Sequence, residues 1–142
     1  MIELSDLLLI PGADLGETQR ITGAMWAERE EVTGYQSLTD LDVLDGDGAR
    51  TFVRGDKVVL VYVGESALPE GTDSETLRDL VGSDGEVLPS RQGRQGKLHV
   101  VADKGIAWSE LRGDVAFVEL FPPTTFEHYR QTVYLPPPAF IQ

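Results

Sequence analysis

Cysteine is absent from all 142 residues, so disulfides, thiolate metal sites and thiol nucleophiles are excluded together. A chain without cysteine suits a reducing compartment, and a cytoplasmic location is the expectation. Cations are scarce as well: 12 Lys and Arg stand against 24 Asp and Glu, a formal net charge of -12. Binding to a phosphate backbone draws on clustered Lys and Arg, so this balance argues against nucleic acid as a direct partner and against anionic membranes. The carboxylates read as a solvated, solubilising surface, and the alternative is an acidic decoy that mimics nucleic acid for a basic protein. Apolar runs are short, none approaching the ~20 residues that cross a bilayer. The first residues carry acids, Glu3 and Asp6, where a secretory signal carries Lys or Arg.

What is present is a succession of short apolar segments punctuated by Gly, Asp and Pro. Residues 97–102, 106–110 and 115–121 read as a three-stranded meander, with polar turns at 103–105 and at Arg112, Gly113 and Asp114. Pro122 and Pro123 stop it, and Thr124 followed by Glu127 opens a helix running to about residue 134. An earlier set of strands is expected at 38–44, 50–53 and 57–63, the last being the most apolar and therefore central. Asp14 with Glu17 opens a helical pattern over 16–32, in which Ile21, Ala24, Met25 and Glu28 share a face. Thr72 with Glu75 opens another over 72–81, closed by Gly82. Residues 7–10 read as a short strand and 82–96 as an exposed connection. The fold expected is a single α+β domain over 1–135: a mainly antiparallel, twisted sheet with about three helices. Residues 136–142 form an extended, proline-rich tail.

The two halves of the chain also resemble each other at one offset. Asp45, Ala49, Arg54, Gly55 and Asp56 fall on Asp103, Ala107, Arg112, Gly113 and Asp114, 58 positions on; Glu17, Thr18 and Arg20 fall on Glu75, Thr76 and Arg78 at the same spacing. A recurring order of helix, strand, strand, Arg-Gly-Asp turn and strand predicts a sheet with pseudo-twofold character.

Few residues invite a chemical role. The two Arg-Gly-Asp tripeptides precede apolar strands, where Gly serves a tight turn; they read as turns rather than adhesion sites. Asp40, Asp42, Asp45 and Asp47 lack calcium-loop spacing, for Leu44 and Arg50 stand where an acceptor and a Gly are needed, so no metal is expected. His99 and His128 are the two histidines, and neither sits in a recognisable ligand or triad spacing. Either one, with Glu110, Glu119 or Asp103, is the basis of an alternative reading as a small hydrolase or isomerase. Residues 90–97 form the one basic cluster, and Arg91, Arg94 and Lys97 are the candidate contacts for an acidic group or partner. Phe140 and Ile141 end the tail with apolar side chains that require a surface, on this domain or on a neighbouring subunit. No catalytic residue and no cofactor is assigned. The function expected is a non-enzymatic binding or interaction domain with a protein partner or a second copy of itself, forming a homo-oligomer.

Overall fold

The computed structural model describes residues 2–23, 25–26, 41–46, 48–93 and 95–137. In chain order these form α1 (Leu4–Leu7), α2 (Leu15–Thr22), β1 (Met25–Trp26), β2 (Asp42–Asp45), β3 (Ala49–Arg54) and β4 (Lys57–Gly64). There follow α3 (Ser74–Val81), β5 (Glu86–Pro89), β6 (Lys97–Val101), β7 (Ile106–Leu111), β8 (Asp114–Leu120) and α4 (Phe126–Thr132). Single 3-10 turns occupy Glu65–Ala67 and Ala102–Lys104. The strands make one antiparallel sheet in the order β1-β2-β3-β4-β8-β7-β6-β5, so the domain is α+β, as expected.

The two central hairpins share a register. Ala49 pairs with Val63 and Arg54 with Lys57 across β3 and β4; Ile106 pairs with Leu120 and Leu111 with Asp114 across β7 and β8. Each ladder slips once, beside Val59 in β4 and beside Ala116 in β8. At both places two successive residues, Val59 with Leu60 and Ala116 with Phe117, turn to the same face, as a bulge requires. These equivalences run 57 positions apart, one less than the spacing of the sequence similarity. The turns explain the slip. In the first hairpin Gly55 takes the positive φ (67°) with Asp56 after it, whereas in the second both central residues, Arg112 (φ 54°) and Gly113 (φ 87°), are positive. The Arg-Gly-Asp tripeptides therefore occupy different turn positions. Where β4 meets β8, Tyr62 lies directly opposite Glu119, its own equivalent at that spacing.

One face of the sheet carries Val61, Val63, Ile106, Trp108, Val118 and Leu120, covered by Leu7 of α1, Leu77 and Val81 of α3, and Ile21 of α2. The other carries Phe52, Leu60, Leu98, Val100, Ala107 and Phe117, covered by Tyr129 and Val133 of and after α4. Alternation along each strand divides the apolar set between two cores, which is why β4 and β8 read as nearly continuous apolar runs.

The eight-residue helices α2 and α3 are built alike. Asp14 accepts from the Glu17 N–H and Asp73 from the Thr76 N–H; Gly23 (φ 69°) and Gly82 (φ 84°) end them in the left-handed conformation. The helix expected over 16–32 therefore stops at Gly23, and residues 25–26 are already strand; residues 27–32 lie outside the described residues. Residues 7–10 are not a strand: Leu4–Leu7 is a turn of helix whose Leu7 is buried in the core. The connection expected over 82–96 holds the edge strand β5, where Pro89, lacking an N–H, is tolerated.

Candidate functional site

Among the described residues, three places are the candidates for a functional site. The first lies at the sheet centre on the α4 face. Glu119 points from β8 into the core and is fully buried; the Tyr129 hydroxyl donates to its Oε1 at 2.6 Å, and the Arg91 guanidinium stands 3.5 Å from its Oε2. Arg91 also lies flat over Phe117, with Cζ 4.3 Å from the ring centroid, and 5.9 Å from that of Tyr62. Burial pushes the Tyr62 hydroxyl above its usual pKa, the Arg91 charge opposing that rise and the Glu119 charge adding to it. Arg91 is one of the sequence candidates for contact with an acidic group or partner. Its guanidinium packs against the core, and its loop is closed on itself: the Ser90 N–H donates to Gly96 O, the Gly96 N–H to Gly93 O, and Ser90 Oγ meets Ser109 Oγ at 2.6 Å. Of the other candidates, Lys97 opens β6 on the exposed surface opposite Glu110, while Arg94, Phe140 and Ile141 lie outside the described residues.

The second place is on the opposite face. His99 of β6 stacks on Trp108 (5.1 Å between centroids, 19° between planes), and its Nε2 lies 3.1 Å from Glu110 Oε1. Its Nδ1 lies 3.3 Å from the Asp84 carbonyl oxygen. Both ring nitrogens thus lie within hydrogen-bond distance of protein oxygens, which fixes the orientation of the ring. The Trp108 Nε1–H donates to Ser74 Oγ at 2.9 Å, and a bond from Ser74, followed by that from His99, holds the Glu110 carboxyl below the usual carboxylate range. Sequence reasoning named His99 and Glu110 as potential partners, and cross-strand pairing delivers them. Glu119, the other glutamate named there, points to the opposite face of the sheet. The grouping of Ser, His and Glu does not follow the order of an acyl-transfer triad: the carboxylate, not the imidazole, stands between the other two. His99 is nearly enclosed, its side chain 5% exposed, so no reactant reaches it without local opening.

The third place is a cleft of about 490 Å³ between the end of the β3–β4 hairpin and the outer side of α4. Arg54 and Lys57 stand at one lip and His128 with Thr132 at the other; Val58, Val59, Phe121, Pro122, Pro123 and Val133 supply an apolar floor. Two local features build it. The tight turn at Gly55 brings Arg54 and Lys57 side by side, and the Pro122-Pro123 break followed by the Thr125 N-cap, which accepts from the His128 N–H, sets α4 across the strand ends. Turned inward, Tyr129 anchors α4 to Glu119; turned outward, His128 faces the cleft. A larger cleft of about 740 Å³ has the reverse character, with Glu65, Glu70 and Asp114 around Leu68, Pro69 and Val115. Sequence reasoning did not find the cationic cleft, because Arg54 and Lys57 are separated from His128 by some seventy residues and meet only through the pairing of β4 with β8. Among the described residues no three His, Asp or Glu side chains converge to hold a metal ion, and no helix is long and apolar enough to cross a membrane.

Comparison with known proteins adds no further constraint: no protein family, no curated protein and no solved structure matches this chain.

Proposed function

We propose that this chain is a binding domain that recognises a partner without transforming it, and that recognition takes place at the cleft between the β3–β4 hairpin and α4. The observation that supports this reading is the division of labour among polar side chains. Groups with catalytic potential are bonded to the protein itself: Glu119 with Tyr129 and His99 are buried, and Glu110 is partly buried beside His99. Lys57 and the His128 side chain, by contrast, hold no hydrogen bond or ion pair among the described residues and border an open, preformed, largely apolar cleft. Self-association and a cytoplasmic setting belong to the same reading. β5 is an edge strand with Val87 half exposed, and Pro89 limits how far a second copy extends the sheet there. The rival, a hydrolase built on His99, is favoured by the 3.1 Å approach of Glu110 and opposed by the enclosure of the ring.

A fragment screen followed by backbone amide shifts tests the reading. Shifts clustering on residues 54–59 and 121–133 are expected. Shifts clustering on Ser74, His99 and Glu110, with turnover of the bound compound, overturn it in favour of the enzyme.

A further inference from the structure

The charge of the cleft narrows its ligand. Acids outnumber bases two to one in this chain, 24 to 12, yet no Asp or Glu occurs among the described residues lining this cleft, whereas Arg54, Lys57 and His128 all do. Electrostatic chance favours the opposite composition, which the larger cleft shows with Glu65, Glu70 and Asp114. Against a molecule of net charge -12, a local cationic rim holds its own field only at close range, within about a Debye length of 8 Å at physiological salt. It therefore selects a ligand that enters the cleft rather than one steered from afar. The floor beneath the rim is apolar: Val59, Phe121 and Val133 all belong to the α4-side core. A volume of about 490 Å³ suits a small molecule, being within the usual size of ligand pockets.

We propose that the cleft binds a small organic acid, with its carboxylate between Lys57 and His128 and its apolar body on Val59, Phe121 and Val133. This rests on the binding reading above and adds the chemical class of the ligand. Lys57 supplies a point charge with three donors, and His128, on the α4 side of the cleft, supplies a ring N–H. The apolar floor contributes affinity without regard to charge, so specificity for an acid lies in the rim.

The test is a titration of the full chain with octanoate, octanol, octylamine and acetate, read by amide shifts of residues 54–59 and 121–133. Octanoate is expected to bind with a dissociation constant on the order of 1 mM or tighter, and octanol, octylamine and acetate at least about tenfold more weakly. Lys57→Glu, an exposed substitution that leaves the fold's thermal midpoint unchanged, is expected to weaken octanoate by more than about tenfold and to leave octanol unaltered. Equal shifts from octanol and octanoate at these residues, or indifference of octanoate to Lys57→Glu, overturn the acid specificity while leaving a binding cleft in place. Shifts from all probes confined to the surroundings of His99 and Glu110 overturn the specificity and the binding reading together. No shift from any probe at millimolar excess overturns the specificity alone.

Discussion

Tyr129→Phe removes one oxygen from the centre of the molecule, and its consequence can be worked out from the structure. The hydroxyl donates at 2.6 Å to Glu119 Oε1, and both residues are fully buried. The ring keeps its packing on Phe121, 4.9 Å away between centroids, so almost no apolar contact is lost. What is lost is a hydrogen bond to a charged acceptor, whose removal costs about 1.5–3 kcal/mol. The Arg91 guanidinium at 3.5 Å keeps part of the compensation for the carboxylate, which places the expected loss near 2 kcal/mol. For a chain of this size that lowers the thermal midpoint by roughly 4–10 °C. Urea unfolding followed by far-UV circular dichroism and by the fluorescence of buried Trp108 measures it. Tyr134→Phe is the control, for that hydroxyl donates at 2.6 Å to the neutral carbonyl of Pro89 from a partly buried position, and its removal is expected to cost about 1 kcal/mol. Glu119→Ala, which takes a partner from both the Tyr129 hydroxyl and the Arg91 guanidinium, is expected to cost about 3–5 kcal/mol. Tyr129→Phe within about 0.5 kcal/mol of the parent would refute the claim that Glu119 is held by this bond.

Acidification tests the other polar cluster. The Glu110 carboxyl is held below its ordinary 4.5 by Ser74 and then by His99, with Lys97 adding a smaller contribution. A depressed folded-state pKa gives stability that is complete above the unfolded value and lost as pH falls through the folded one. Unfolding free energy is therefore expected to drop more steeply below pH 4.5 in the parent than in Glu110→Gln; parallel curves would remove the interaction. Among glycines, Gly105→Ala is expected to cost more than about 3 kcal/mol, because a Cβ there meets Phe121 O at 2.1 Å with φ at +68°. Gly113→Ala, with nothing within 4 Å, carries only the conformational cost of about 1 kcal/mol, and equal losses in urea unfolding would contradict the distinction. Asp73→Ala removes the cap of α3 and is expected to cost about 1 kcal/mol, while Thr72→Ala leaves that cap in place.

The caps show how far the sequence is legible. Thr72 and Thr124 were the expected starts, but the residues that accept the capping bonds are Asp73 and Thr125, each one position on, because an alternative Asp or Thr adjoins each. The strands β4 and β8 were readable since burial on both faces leaves a long apolar run. β5 was not, for four residues including two that face solvent and a proline carry no period. The helical pattern of Ile21, Ala24 and Met25 persisted beyond Gly23, and the left-handed glycine, not the apolar spacing, decided where α2 ends. The His99–Glu110 approach was readable as a cross-strand possibility because both lie in one meander. The cationic cleft was not readable, since it depends on which strands of the two halves become neighbours.

The account turns on a separation between side chains that hold the sheet together and side chains that serve a ligand. Octanoate affinity and thermal midpoint measured side by side for His99→Asn and Lys57→Glu test it most directly. The expected result is that His99→Asn lowers the midpoint and keeps the affinity, while Lys57→Glu keeps the midpoint and loses more than about tenfold in affinity. The reverse pattern, with binding abolished at His99 and untouched at Lys57, would contradict it.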